Sequence, residues 1–363
     1  MLAVGCHIPA INLPRLLGLS GGLPDRVDLA AERLAELIDL VSPAGEPCRP
    51  RHALVEIVRR CNLRCPLCPV GNDLARRLPD MSLDTFKRLV DAVAPSLESM
   101  TLHNYGEPLL HPQVGTFIRY AKEAGIKHVS LTTNGNYLPP ALAVDLVESG
   151  LDFIRFSVDT ADADAYRQYR IGGQLARVLA NIQLLVQTRT DLRSDVPIIE
   201  AQAMLMRTTE GHAADFERVL SAVGVDRVRW KTFNPFMSGE GQLDQGVTFV
   251  PLTLSYRRHE GVTPRPAADR SEMRLCRWPW DRLVVLADGT VTPCCHDFNG
   301  EFRLGGTESK ETSQLWDTRA RRAFMVRRIL HPESIDMCRR CPSGVPHLAL
   351  RREAIPGGDL DAE

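Results

Sequence analysis

The sequence predicts an α/β fold, a partial (β/α)6 barrel with a C-terminal β-hairpin-plus-helix module. Three observations predict it. Short apolar runs alternate with amphipathic helical stretches six times over residues 51–233, a hairpin pattern turns at Asp288-Gly289, and eight of the ten cysteines fall into two groups, one in each part. Strict β-then-α alternation with right-handed crossovers gives a parallel sheet covered by helices. Six units stop short of the eight that close a complete barrel.

Residues 1–50 read as an N-terminal helical extension, because DRVDLAAERLAELIDLV carries Leu and Val at helical spacing before SPAGEPCRPRH breaks the pattern. ALVEIV is the first strand and runs into CNLRCPLCPVG at 61–71. LDTFKRLVDAV is a helix, SMTLHNYGEP a strand with a turn, and VGTFIRYAKEAG a helix closed by Gly125. HVSLTTNG is the third strand, and PPALAVDLVESG a helix with prolines at its start and glycine at its end. LDFIRFSVD is the fourth strand, followed by the long helix QLARVLANIQLLVQTR. PIIEAQAMLM and VDRVRWKTF are the last two strands of the barrel, separated by HAADFERVLSAVG. Residues 234–275 are rich in Gly, Pro, Ser and charge and read as a linker or lid. WDRLVVLADGTVTPCCHD is the hairpin and SQLWDTRARRAFMVRRIL a helix, and CRRC arrives on a loop, giving a module at 276–345 and a tail at 346–363.

The chain has 363 residues and a net charge of −1, from 44 basic against 45 acidic side chains. That balance gives no electrostatic ground for binding nucleic acid or an anionic membrane. No apolar run reaches the ~20 residues of a membrane span. The start, MLAVGCHIPAINLPRLLGL, lacks a basic n-region and a cleavage site, so a cytoplasmic protein is expected. In such a chain cysteines favour metal or redox chemistry over a disulfide framework. Cys6 and Cys48 stand apart and read as structural or surface thiols.

Cys61, Cys65 and Cys68 form a C-x3-C-x2-C triplet just after the first strand, at the carboxyl end of the sheet, where parallel folds place ligands. A structural zinc site wants four ligands, and no His or Cys nearby in sequence supplies the fourth. A 4Fe–4S cube takes one thiolate per iron, so three protein thiolates leave one iron open.

On this scaffold the triplet resembles the radical S-adenosylmethionine (radical SAM) superfamily. Gly106, Glu107 and Pro108 look like its GGEP motif, with Tyr105 in place of the first glycine; TTNG at 132–135 and SVD at 157–159 match the turns after the third and fourth strands. The resemblance implies that SAM is the missing fourth ligand of the first cluster. It further implies SAM contacts from Gly106, Glu107, Asn134, Ser157, Asp159 and Arg170, the last reaching the SAM carboxylate. Leu67 stands where many members place an aromatic residue against adenine. Reduction of the cluster would cleave SAM to a 5′-deoxyadenosyl radical that takes hydrogen from substrate, with a flavodoxin or ferredoxin-type protein as reductant. Taken singly, Gly106 and Asn134-Gly135 could be ordinary turns, and Ser157 or Asp159 a helix cap.

Cys276, Cys294, Cys338 and Cys341 resemble the Twitch domain, a shortened SPASM extension, and so imply one auxiliary 4Fe–4S cluster; a zinc ribbon with the same ligands is the alternative. Cys295 is surplus. Adjacent residues on a strand face opposite ways, so beside Cys294 it is expected either in the substrate cavity or buried as an apolar thiol. Twitch enzymes with a single auxiliary cluster act on aminocyclitols and sugars in antibiotic biosynthesis. The resemblance therefore implies oxidation of a secondary alcohol to a ketone on a carbohydrate or aminocyclitol, with the auxiliary cluster accepting an electron. Candidates for catalytic roles are Cys295, His296 and Lys231, with Arg229 and His103 behind them. Epimerisation with Cys295 returning the hydrogen, decarboxylation, dehydration, peptide modification and a non-catalytic zinc scaffold are the rival readings.

Overall fold

The computed structural model describes residues 49–234, 243–257, 276, 278–308, 315–316, 318–330, 334–339 and 341. Cys6, Cys48, the extension up to residue 48, residues 235–242 and 258–275 of the linker or lid, and the tail lie outside them. One nine-stranded sheet runs in the order β6-β5-β4-β3-β2-β1-β7-β8-β9. Its strands are β1 His52–Val55, β2 Ser99–Thr101, β3 His128–Thr133, β4 Phe153–Ser157, β5 Ile198–Leu205, β6 Arg227–Thr232, β7 Arg282–Val285, β8 Thr290–Thr292 and β9 Gly305–Gly306. Strands β1 to β6 are parallel, β7 pairs parallel with β1, and β8 and β9 return antiparallel. The six predicted β-then-α units are therefore present, and the hairpin continues their sheet.

The helices are α1 Leu83–Val93, α2 Val114–Glu123, α3 Pro140–Glu148, α4 Ala163–Tyr169, α5 Leu175–Asp191, α6 Ala213–Val223, α7 Leu243–Phe249, α8 Trp278–Asp281, α9 Arg319–Leu330 and α10 Asp336–Arg339. Helix α1 illustrates their cause. Ser82 caps it by accepting the Thr85 N–H, and Phe86, Leu89, Val90 and Val93 recur at helical spacing on its buried face. Phe86 stacks on Phe117 of α2 with ring centroids 4.4 Å apart. Within the stretch read as a linker or lid, α7 packs instead: Phe249 meets Tyr169 edge-on, and the Arg207 N–H bonds its carbonyl.

The two faces of the sheet differ in chemistry. On β6, Trp230 points outward to Phe216 of α6 and gives its indole N–H to Glu217. Period-two alternation then turns Arg229 and Lys231 inward. By the same register Thr132 of β3, Arg155 and Ser157 of β4, and Glu200 and Gln202 of β5 share the inner face. There Arg155 Nε lies 2.5 Å from Glu200 Oε1, and Thr101 meets Ser130 at 3.0 Å.

Candidate active site

The cysteine triplet occupies the loop after β1. Its shape is held by Cys68 N–H to Cys65 O at 3.1 Å, Arg64 N–H to Ile171 O at 2.9 Å and Asn72 to Pro66 O at 2.9 Å. Leu63, Leu67, Tyr169, Met206, Phe233 and Val250 wrap it in a small apolar cluster. Leu67 is buried in that cluster. Burial pushes the Cys61 thiol up to about 12 and raises Cys65 as well, so bound positive charge would be needed to hold these sulfurs as thiolates.

The motif after β2 abuts this loop. Gly106 has φ +79, and a Cβ there would lie 2.3 Å from the Val58 carbonyl oxygen, so only glycine admits this close approach. The next N–H, of Glu107, bonds Arg60 O at 3.0 Å, one residue before Cys61. The Glu107 carboxylate accepts from Thr133 Oγ1 at 2.6 Å, Asn134 N at 2.7 Å and Leu109 N at 3.2 Å. Burial raises it to about 7 against those bonds. It works as a clasp between the second and third strand ends. Asn134 extends the clasp by donating to Asn62 at 2.7 Å, with Cys61 Sγ at 3.7 Å.

Asp159, at φ +66, forms a buried ion pair with Arg170 at 2.6 Å, and Arg170 Nη1 lies 3.9 Å from Cys65 Sγ. Helix α4 is capped by Asp162, which leaves Asp159 outside that capping role. Asp159 Oδ1 is buried without a hydrogen-bond partner. Such an acceptor calls for a donor, which the ribose hydroxyls or ammonium of a bound SAM would supply. The three thiols and this carboxylate therefore fit a cluster with SAM beside it. Ser157 is buried at the end of β4, on the same inner face.

In the second group, Cys294 and Cys295 do not lie on a strand as expected. Strand β8 ends at Thr292, and Pro293, which has no N–H, leads into a turn that starts at Cys294 and is closed by Asp297 N–H to Cys294 O. Strand alternation therefore does not set Cys295 opposite Cys294. Cys294 interacts electrostatically with Cys295, Cys341 and Cys338 and accepts the His296 N–H; Cys276 accepts the Trp278 N–H and interacts with Cys341. Electrostatic interactions thus link Cys294 to Cys338 and Cys341, and Cys276 to Cys341. Cys295 is pushed up to about 12 by burial, with Cys341 raising it further and Lys231 acting against that. Among the described residues no three His, Cys, Asp or Glu side chains converge to hold a single ion, a convergence that a cube with one thiolate per iron does not need.

Of the other candidates, His103 uses Nδ1 to accept the Thr132 N–H at 3.1 Å. Sequence reasoning noted Tyr105 only as a departure from the motif. Its buried ring meets Phe298 edge-on at 5.9 Å, and its phenol lies within electrostatic reach of Cys295, Cys68 and Cys294, which belong to both cysteine groups. The inner polar ladder was also missed, although its period-two signal is present in FIRFS and IIEAQAML.

Comparison with known proteins places these features. The family described as "Radical SAM superfamily" matches residues 55–195, and SPASM, an "Iron-sulfur cluster-binding domain", matches residues 276–342. The tungsten-containing aldehyde ferredoxin oxidoreductase cofactor-modifying protein of Pyrococcus furiosus is 24% identical over 311 residues, covering 79% of this chain and 86% of that protein. A GTP 3',8-cyclase of Chlorobaculum tepidum is 30% identical over 262 residues, covering 67% and 77%. The crystal structure of Streptococcus suis SuiB bound to precursor peptide SuiA shares the fold at a TM-score of 0.58 and 14% identity, covering 86% of this chain and 76% of that one. No helix among the described residues is long and apolar enough to cross a membrane. A chain with these two domains uses S-adenosylmethionine and two 4Fe–4S clusters. The triplet loop, the strand-end motifs and the cysteine-bearing hairpin thus belong to one known architecture: this chain is a radical SAM enzyme with a C-terminal SPASM-type iron–sulfur domain, a member of the radical SAM superfamily.

Proposed function

We propose that the enzyme removes two hydrogens from a secondary alcohol on a carbohydrate or aminocyclitol, giving a ketone. When bound, the cofactors supply a 5′-deoxyadenosyl radical to take the carbon-bound hydrogen and an auxiliary cluster to take the remaining electron. Cys61, Cys65 and Cys68 would hold the first cluster, and Cys276, Cys294, Cys338 and Cys341 the auxiliary one. The observation that carries the substrate class is the inner face of the sheet, where Thr132, Arg155, Glu200, Gln202, Arg229 and Lys231 present donors and acceptors to the barrel interior. Such a lining suits a small ring rich in hydroxyl or amino groups and penalises an apolar guest, which would leave buried polar groups unpaired.

Residue roles follow from placement. Asp159 would accept hydrogen bonds from SAM, while Gly106, Glu107 and Asn134 hold the loops around it. Lys231, at the edge of the sheet and near Cys295, is placed to receive the alcohol proton in its neutral form or to orient the hydroxyl as a cation. The electrostatic reach of Tyr105 to cysteines of both groups supports electron acceptance close to the radical site. A flavodoxin or ferredoxin-type protein would supply the starting electron. The test is anaerobic incubation of reduced enzyme and SAM with a panel of aminocyclitols and sugars. One 5′-deoxyadenosine per product two hydrogens lighter supports the reading. Product of unchanged mass with solvent deuterium incorporated would indicate epimerisation and refute it.

A further inference from the structure

Helix α9 places residues 321, 324, 325 and 328 on one face, three and four positions apart. All four are buried, and two are arginines: Arg321 at 5%, Phe324 at 6%, Met325 at 2% and Arg328 at 7% exposure. Arginine is rarely buried unless paired, because a guanidinium taken out of water needs compensating acceptors or charge. Arg321 finds its compensation on Trp316, 3.5 Å from the ring centroid, and on the Pro279 carbonyl. Arg328 has a different environment. Buried beside them, its guanidinium is the foremost positive neighbour of both Cys276 and Cys338, within hydrogen-bonding reach of each sulfur.

We propose that Arg328 is a positioning residue for the auxiliary cluster, holding two of its four thiolates by N–H···S bonds and raising the potential at which the cluster accepts an electron. The inference rests on the assignment of the four cysteines made above. A cube with four thiolates is negative in both oxidation states and gains one further negative charge on reduction. A fixed buried cation with hydrogen bonds to two sulfurs therefore favours the reduced form; hydrogen bonding to sulfur, net charge and burial are recognised controls of cluster potential. The guanidinium fork suits the task, since separate N–H groups can reach two sulfurs at once. An auxiliary cluster biased in this way is prepared to take an electron from a substrate radical, which a redox-neutral rearrangement does not require.

The test uses reconstituted holoenzyme. Wild type, Arg328→Lys and Arg328→Met are titrated anaerobically and followed by electron paramagnetic resonance, with the first cluster as internal reference. Arg328→Met is expected to shift the auxiliary midpoint to more negative potential, Arg328→Lys to shift it less, and the first cluster to stay unchanged. If Arg328→Met fails to load its second cluster, the Lys variant decides by its shift. Auxiliary midpoints equal to wild type in variants with full iron content would overturn the proposal. A wild-type protein that binds only one cluster would instead defeat the cysteine assignment, a separate result.

Discussion

Replacing Gly106 by alanine tests whether close backbone approach, rather than chemistry at the residue itself, holds the SAM loop. At φ +79 a non-glycine residue incurs roughly 1–2 kcal/mol of steric cost. The new methyl would lie 2.3 Å from Val58 O and 2.8 Å from Arg59 C and O, all backbone atoms that no rotamer change can move. Overpacking of this kind adds about 1–3 kcal/mol, for a total of about 2–5 kcal/mol. Gly125→Ala is the control, since it has φ +90 and nothing within 4 Å of the added Cβ. It should cost only the dihedral share, about 1–2 kcal/mol. The local effects should differ more than the global ones. Opening the Glu107–Arg60 bond, 3.0 Å long and one residue from Cys61, should weaken SAM binding and the first cluster while leaving the second in place. Urea unfolding, iron analysis and equilibrium SAM binding read these effects. Equal unfolding costs for the two variants, with wild-type SAM affinity in Gly106→Ala, would refute the close-approach argument.

Three further outcomes are expected. Iron analysis of reconstituted protein should give about eight irons per chain for wild type and about four for Cys68→Ala or Cys294→Ala, by the count of one thiolate per iron in two cubes; only the Cys68 variant should lose SAM cleavage outright. Glu200→Gln should weaken the bond from Arg155, at 2.5 Å, by about 1–3 kcal/mol in unfolding measurements and raise KM for substrate more than it lowers kcat. His111 is held below its ordinary value of 6.5 by burial, with its ring bonded to Met81 O and the Gln113 N–H. Below that pH the unfolded chain takes up a proton that the folded chain refuses, so this contribution to stability should be lost as pH falls. Chemical denaturation at pH 7 and 5.5 should show the loss in wild type and a smaller one in His111→Gln.

The sheet was legible because its outward strand positions are apolar in period two and its helices carry apolar faces in period 3.6. These are local patterns that the tertiary fold obeys. The triplet and the CRRC pair stand out by their spacing, while their assignment to two clusters comes from the resemblance they carry. What escaped depended on contacts distant in sequence. Cys294 and Cys295 look like strand residues until Pro293 is recognised as the end of the ladder. LDQGVTF, within a stretch of linker-like composition, folds because Phe249 finds Tyr169 and Phe233. An arginine-rich helix suggests a solvated surface, and only the assembled fold gives Arg321 and Arg328 their buried partners. In sequence Tyr105 is only a residue in place of the motif's first glycine; its surroundings, Phe298 and cysteines of the second group, come from segments far along the chain.

The way the two cysteine groups are joined bears on electron transfer between their surroundings. The hairpin is not hung on the barrel by a side-chain interface. Strand β7 pairs with β1 in register from His52↔Arg282 to Val55↔Val285, and the Glu56 N–H continues the ladder to Val285 O at 2.8 Å. The same Glu56 is fully buried, pairs with Arg59 at 2.7 Å and accepts the Tyr105 N–H at 3.3 Å. From the other side, Arg76 bonds Asp288 at the hairpin turn and the Asn299 carbonyl at 2.8 Å. Backbone hydrogen bonds therefore set the distance from the triplet loop to the hairpin cysteines, and two arginine contacts secure it. A one-electron step from a substrate radical needs its acceptor at a fixed and short range. A continuous sheet supplies that range more rigidly than two domains docked across a linker could.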